Sequence, residues 1–94
     1  MYAQALEVGA GALEDLRQTI CRELLPALRT ERGFSGAVSL VDRETENILL
    51  LIFWETEEEA ARPLPPYFTA LLARFGLLDA ATYAPRVWEV DARA

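Results

Sequence analysis

Two side chains in otherwise apolar stretches are the first candidates for chemistry. Trp54 ends a run of seven apolar residues that begins at Ile48, and Gln4 shares one side of an alternating stretch with Leu6 and Val8. A buried indole N–H and a buried amide both need hydrogen-bond partners. Trp54 is therefore either a wall of the core or a surface for stacking a substrate. Gln4 is either structural or a ligand contact.

Three further residues are candidates for contact with a small ligand. Tyr67 and Tyr83 lie near a proline-interrupted helix and the loop after it, where the mouth of a cavity could open. Arg86 lies two residues before Trp88 and could hold an anionic group of a substrate. A surface role is the alternative for each of them, and Arg86 would then begin an edge strand.

The sequence lacks the residue types on which most catalytic and metal sites depend. It contains no histidine, the commonest general base and a frequent ligand of zinc and haem iron. Cys21 is the single cysteine, so no disulfide can form within the chain. Its position beside an apolar helical stripe predicts a buried, inert thiol. We therefore expect no metal and no cofactor, and no residue stands out as a general base.

The balance of charge argues against nucleic acid, and the hydropathy argues against a membrane span. The net charge is -6, whereas phosphate binding requires clustered Lys and Arg. No stretch approaches the ~18 apolar residues that cross a bilayer. The first residues do not read as a basic leader followed by an apolar segment. We expect a soluble cytoplasmic protein that binds neither nucleic acid nor membrane.

Apolar periodicity divides residues 1–94 into the strands and helices of one domain. An apolar stripe from Leu13 to Leu28 predicts a helix that ends at Gly33 and is kinked by Pro26. Thr56 and Glu59 have the spacing of a capping box that begins a second helix. The other predicted elements are strands at 2–8, 34–41, 48–54 and 86–92, a proline interruption at 63–66, and a helical segment at 68–75 closed by Gly76.

This order of elements predicts the fold class. The sequence reads β-α-β-β-α-β, which is typical of an α+β fold of the ferredoxin-like type. Such a fold has a four-stranded antiparallel sheet with both helices on one face. The predicted helices therefore cover one side of the sheet and leave the other side without a cover.

The strand at 48–54 is apolar on both sides, although helices can bury only one of them. Its alternating residues form the sets Ile48, Leu50, Ile52, Trp54 and Leu49, Leu51, Phe53. Leaving one set in water would expose several large side chains, each worth ~1.5–3 kcal/mol on burial. We therefore predict a homodimer in which two copies pack sheet face against sheet face.

The middle third of the chain resembles a known family. Residues 33–62 are similar to small antibiotic-biosynthesis-monooxygenase-like proteins, whose subunits form dimeric α+β barrels. These proteins often read Pro-Gly-Phe, a strand, Asp-Arg-Glu-Thr-Gly, a strand ending in Trp-Glu-Ser, and a Glu-rich helix. The matching positions here are Gly33, Phe34, Gly36, Asp42, Arg43, Glu44, Thr45, Trp54, Glu55, Thr56 and Glu57.

The resemblance implies a ferredoxin-like subunit with a ligand cavity between its sheet and its helices. Well-understood members either oxidise polycyclic aromatic compounds without a cofactor or degrade haem, and many others have no known activity. The absence of histidine argues against haem degradation. In quinone-forming members a tryptophan at the end of the third strand acts with an asparagine four residues earlier. Trp54 matches that tryptophan, Leu50 replaces the asparagine, and Gln4 approximately takes the place of a first-strand asparagine of haem-degrading members.

Two functional hypotheses follow. The first is a cofactor-independent monooxygenase acting on a small aromatic or phenolic compound, with Trp54 and Gln4 as catalytic residues. Tyr67, Tyr83 and Arg86 would then contact the ligand. The alternative is a non-catalytic homodimer that binds a small apolar ligand or serves as an accessory subunit.

Overall fold

The computed structural model describes residues 1–9, 13–75 and 86–94. The strands in these residues are β1 (Tyr2–Gly9), β2 (Phe34–Asp42), β3 (Asn47–Trp54) and β4 (Arg86–Glu89). The helical segments are α1 (Leu13–Thr19), a π-helical turn (Ile20–Leu24), α2 (Leu25–Leu28), α3 (Glu57–Ala60) and α4 (Pro66–Arg74). The chain therefore has an α+β fold.

The four strands form one open antiparallel sheet in the order β2-β3-β1-β4. The central pair aligns Tyr2 with Trp54 and Gln4 with Ile52, while Phe34 of β2 faces Trp54 from the other side. A bulge lies between Phe34 and Gly36, where the register of β2 shifts. The first three predicted strands are confirmed to within one or two residues, because their apolar patterns are long and regular.

The last strand is shorter than predicted. It ends at Glu89, not at Ala92, and residues 90–94 form no regular element. Glu89 pairs with Tyr2, and one further bond to the start of the chain runs from the Val90 N–H to the Met1 carbonyl at 3.0 Å. β4 therefore ends at the residue that pairs with the first residue of β1.

One face of the sheet packs against the helices and forms the core. The alternating residues of β3 that include Ile48 and Trp54 are buried there, as are residues spaced by four along the first helix. This arrangement confirms the predicted helical stripe from Leu16 to Leu28. The core consists of Leu6, Val8, Leu16, Ile20, Leu24, Leu28, Ile48, Leu50, Ile52, Trp54, Ala60, Phe68, Leu71 and Leu72.

The opposite face of the sheet is apolar and lacks a cover from the described part of the chain. Leu49, Leu51 and Phe53 of β3 are only half-buried there. Val38 of β2 is 42% exposed and Trp88 of β4 is 49% exposed. Because apolar patches of this kind are uncommon on monomeric proteins, this outer face needs an explanation.

Pro26 is accommodated by a π-helical turn in the first helix. Proline has no N–H to donate, and its ring crowds the carbonyl four residues earlier. The turn Ile20–Leu24 precedes it, and the Leu25 N–H reaches back five residues to the Ile20 carbonyl. Cys21 lies on this turn and is exposed, so the prediction of a buried thiol is wrong. The reason is that Cys21 directly follows buried Ile20, so its side chain lies on a different side of the turn.

The start of α3 largely follows the predicted cap. The Thr56 hydroxyl accepts from the Glu59 N–H at 3.2 Å, as expected for an N-cap. It also donates to Oε1 of the Glu59 carboxylate at 3.0 Å, in place of the reverse bond of a full capping box. Thr56 thereby fixes both the backbone and the side chain of Glu59.

The described helices are short. No helix among residues 1–9, 13–75 and 86–94 is long and apolar enough to span a membrane.

Candidate functional site

A cleft of about 280 Å³ opens beside Trp54, where the end of the sheet meets the segment between α3 and α4. We call it the Trp54 cleft. Its lining combines an indole and proline rings with ionisable side chains: Gln4, Glu31, Trp54, Glu59, Arg62, Pro63, Pro65 and Pro66. The two residues that the sequence singled out first are therefore brought together at one site.

The register of the central strands places Gln4 next to Trp54. Tyr2 lies opposite Trp54 and Gln4 lies opposite Ile52, so Gln4 and Trp54 are diagonal neighbours on the same face of the sheet. Diagonal cross-strand neighbours are close enough for long and aromatic side chains to meet. Both side chains point to the helix side and are nearly inaccessible, with 3% of Gln4 and 4% of Trp54 exposed.

The polar atoms of this pair are fully engaged. Trp54 Nε1 donates to Gln4 Oε1 at 2.9 Å. Gln4 Nε2 donates to the backbone carbonyl of Ala60 at 2.6 Å and to that of Arg62 at 3.4 Å. One amide thereby anchors the indole and the end of α3 to the sheet. These bonds make Gln4 a positioning residue that holds the floor of the cleft.

The Trp54 ring also contacts an aromatic edge and a cation. Phe34 approaches it edge-on, with ring centroids 6.1 Å apart and planes at 80°. The guanidinium carbon of Arg62 lies 5.5 Å from the indole centroid, a distance at which a cation is attracted to the ring face. The indole orientation is therefore fixed by neighbours as well as by its N–H.

Arg62 is held in place by backbone carbonyls. Its Nη2 donates to the Arg32 carbonyl at 2.9 Å, and its Nε donates to the Glu59 carbonyl at 3.4 Å. An arginine carries five N–H donors, so donors remain beyond these two bonds. Arg62 can therefore both brace the end of α3 and offer a hydrogen bond at the cleft.

The opposite wall carries a carboxylate paired with a phenol. Tyr67 Oη donates to Glu31 Oε1 at 3.0 Å, which links α4 to the end of the first helical region. Burial, and then the hydrogen bond and negative charge of Glu31, raise the pKa of Tyr67 to about 12. Tyr67 is thus a neutral donor near pH 7, and Glu31 is the acceptor on the cleft wall.

Tyr67 does not line the cleft and is connected to it only through Glu31. The other predicted contacts lie elsewhere. Tyr83 falls outside the described residues. Arg86 is on the outer face of the sheet, where its guanidinium carbon stacks 4.4 Å from the centroid of Trp88. A second depression of about 450 Å³ lies there, and Arg86 and Trp88 form one of its sides. The structure therefore does not bring Arg86 to the Trp54 cleft.

Sequence reasoning missed Glu31 and Arg62. Each lies in a polar stretch that reads as a helix end, and neither interrupts an apolar pattern. Their partners are distant in sequence, since Tyr67 follows Glu31 by 36 residues and Arg62 follows Arg32 by 30. The only local signal is the proline-rich stretch after Arg62, which marks a break in the helical cover of the sheet.

Comparison with known proteins adds no assignment to this site. No protein-family model matches the chain, and no curated protein sequence matches it. Within the described residues, no group of three or more His, Cys, Asp and Glu side chains could hold a metal ion. The function is therefore inferred from the geometry of the cleft and of the sheet.

Proposed function

We propose that the protein is a homodimer of ferredoxin-like subunits that binds a small aromatic or phenolic molecule in the Trp54 cleft. The observation that carries this proposal is the fixed indole floor of an open cleft with polar walls. Ligand sites typically combine apolar and aromatic surface with a few placed polar groups. Trp54 and the prolines supply the apolar and aromatic surface, and Glu31 and Arg62 supply the polar groups.

The strand order supports the ferredoxin-like assignment. In that fold two β-α-β units interlock, so that each crossover passes over one intervening strand. Here β3 lies between β1 and β2, and β1 lies between β3 and β4. Helical segments follow β1 and β3 along the chain, as each crossover requires.

The outer face of the sheet supports the homodimer. Val38 and Leu40 of β2 are 42% and 46% exposed, and Trp88 at the other edge is 49% exposed. Between them lie Leu51 and Phe53, which are only half-buried. A second copy packed through a two-fold axis would cover this surface with an equally apolar one.

The size and lining of the cleft favour a small, flat ligand. Its volume of about 280 Å³ lies just below the ~300–1,000 Å³ range of small-molecule sites. Aromatic rings pack against proline rings and against the small exposed part of the Trp54 indole. Glu31 can accept a hydrogen bond from a phenolic hydroxyl, and a cleft of this volume has no room for a large ligand.

Tryptophan fluorescence tests this proposal directly. The chain has two tryptophans, so Trp88→Phe leaves Trp54 as the single reporter. Titration with phenol, 1-naphthol and indole should change the emission of this variant in a saturable way. The matched variant Trp54→Phe retains only Trp88 and should show a weaker or absent response. If none of the three compounds alters Trp54 emission, the proposed ligand class is wrong.

A cofactor-independent monooxygenase is the second candidate, and the position of Glu31 favours it. Such an enzyme needs a base that takes a proton from the substrate, after which the substrate anion reduces oxygen. A naphthol C–H would become C=O, one oxygen atom of O₂ would enter the quinone, and the other would leave as water. The four electrons that reduce O₂ all come from the substrate. Glu31 would accept the phenolic proton at its carboxylate.

Oxygen consumption separates the two candidates. With 1-naphthol as substrate, Glu31→Gln should abolish uptake, because the amide cannot accept the proton and remains similar in size. Glu44→Gln makes the same change on an exposed turn and should leave uptake unchanged. Uptake that persists in Glu31→Gln would refute the oxygenase. Ligand binding without any uptake by the wild type would favour the non-catalytic binding protein.

A further inference from the structure

The outer face of the sheet contains a groove above the small residues of β1. Ala3 and Ala5 form its floor, because their methyl groups are much shorter than the side chains on the neighbouring strands. Leu49 and Leu51 of β3 form one side, and β4 forms the other. We call this depression of about 450 Å³ the alanine groove.

Two opposite charges line the alanine groove. Arg86 lies opposite Ala5 in the pairing of β4 with β1, and Glu7 lies two residues further along β1 on the same face. Arg86 and Glu7 are therefore diagonal neighbours on the adjacent strands β4 and β1. Both line a surface that is otherwise apolar, with leucines and a tryptophan as its other large side chains.

Neither charge has an ionic partner among the described residues. The ion pairs of that part of the chain involve Glu14 and Glu23 and leave Glu7 and Arg86 out. Glu7 Oε1 accepts one long hydrogen bond, from Asn47 Nδ2 at 3.4 Å. The guanidinium of Arg86 stacks on Trp88, 4.4 Å from the ring centroid.

Covering this face would remove water from both charges. An ion taken out of water without a partner is strongly destabilising, whereas a paired and hydrogen-bonded ion is tolerated. In a two-fold interface, when one residue contacts a second residue of the partner, the reverse contact forms as well. One acidic and one basic residue on the same face can therefore satisfy each other twice across the axis.

We propose that Glu7 of each subunit pairs with Arg86 of the other, and that these two reciprocal ion pairs set the orientation of the dimer. This inference rests on the proposed homodimer and identifies what selects its geometry. The apolar side chains supply most of the association energy. The ion pairs exclude sheet packings in which Glu7 and Arg86 would be buried without a partner of opposite charge. The partner that this face fits is a second copy of the chain.

Charge reversal in single variants tests the first part of the proposal. Glu7→Arg gives each subunit two positive groove charges, and Arg86→Glu gives each subunit two negative ones. Each variant alone should dimerise at least about tenfold more weakly than the wild type, because like charges then face each other across the interface. Sedimentation equilibrium measures these dissociation constants.

A mixture of the two variants distinguishes pairing between subunits from pairing within one subunit. In a mixed dimer the arginine of Glu7→Arg faces the glutamate of Arg86→Glu. The unchanged Arg86 of the first chain faces the unchanged Glu7 of the second. Both ion pairs between the subunits are therefore restored. Pairing within one subunit is not restored, because each variant chain carries two like charges. We therefore expect Glu7→Arg and Arg86→Glu, mixed in equal amounts, to form heterodimers about as tight as the wild-type homodimer.

A control pair removes the effect of net charge alone. Glu58→Arg and Arg29→Glu make the same charge changes at exposed positions of the helical layer. Those two variants should form homodimers normally and show no preference for mixing. Native mass spectrometry counts the species, since the variants differ in mass.

The outcomes separate this inference from the proposed homodimer. A wild-type protein that stays monomeric refutes the homodimer and this pairing with it. A wild-type dimer that is indifferent to both single variants leaves the homodimer intact and refutes the pairing. A mixture that remains as weak as its separate components refutes pairing between subunits, and heterodimers about as tight as the wild-type homodimer confirm it.

Discussion

Trp54 Nε1 lies 2.9 Å from Gln4 Oε1, and this hydrogen bond joins the two central strands at the floor of the cleft. The same amide donates to the carbonyl at the end of α3 at 2.6 Å. A single glutamine therefore connects β1, β3 and the helical layer. Its loss would affect the stability of the fold and the shape of the candidate site together.

Replacing Gln4 should measure the value of this connection. Gln4→Leu leaves the buried Trp54 N–H and the Ala60 carbonyl without partners, and each unpaired buried group costs about 1–3 kcal/mol. We expect a loss of about 2–4 kcal/mol in the free energy of unfolding, measured with urea. Adding Trp54→Phe removes the unpaired N–H. The double variant should therefore lose less free energy of unfolding than the two single variants lose in total. Strict additivity would contradict the shared bond.

Gly33 should resist substitution because of its backbone. Its φ of +82° lies in the left-handed region, where residues other than glycine pay about 1–2 kcal/mol. A Cβ at this position would also overlap the Glu59 carboxylate, which would have to move aside. Gly33→Ala should lower the free energy of unfolding by at least the backbone cost, and Gly33→Asn should lower it less, because asparagine tolerates this region. If Gly33→Ala and Gly33→Asn lower the free energy of unfolding equally, contact with Glu59 costs more than the positive φ does.

Tyr67 should titrate far above an ordinary tyrosine. Burial and Glu31 raise the pKa of Tyr67 from 10.0 to about 12, so the folded protein holds this proton more tightly than the unfolded chain does. The stabilisation is complete below pH 10 and is lost as the pH rises from 10 to 12. The phenolate absorbance of wild type minus that of Tyr67→Phe should rise near pH 12. A rise near pH 10 would contradict the contact with Glu31.

The outer face of the sheet should control association. Leu51→Asp puts a carboxylate in the middle of the apolar surface, where covering it would cost more than association returns. The wild type should sediment as twice the 10.5 kDa of one chain, and Leu51→Asp should sediment as a single chain. Thr30→Asp introduces the same charge at an exposed helix end and should remain dimeric. A wild type that sediments as one chain would contradict the proposed assembly.

The strands and helices could be predicted from the sequence because their signals are local. Alternation in β1, the continuous apolar run of β3 and the spacing of Leu16, Ile20 and Leu24 each depend on a few neighbouring residues. The predicted end of β4 is too late because the true end depends on where β1 begins. The exposure of Cys21 depends on which side of the helix meets the sheet.

The candidate site could be predicted only in part. Gln4 and Trp54 stand out in the sequence as polar groups in apolar surroundings. In the fold they are likewise buried among apolar side chains. Their mutual hydrogen bond depends on the β1–β3 register, which no local pattern specifies. Arg86 and Trp88 share one face of a strand, but alternation alone cannot say which face of the sheet that is. Glu31 acquires its role from Tyr67, a residue of α4 that is distant from it in sequence.

The indole N–H resonances offer the most direct test of the proposed ligand site. A ¹⁵N-labelled wild-type protein gives two such signals, from Trp54 and Trp88, which Trp88→Phe assigns. Titration with 1-naphthol should shift the Trp54 signal in a saturable way and leave the Trp88 signal in place. A shift of Trp88 alone would put the ligand on the outer face of the sheet. That result, or no shift of Trp54 at saturating naphthol, would contradict the Trp54 cleft as the binding site.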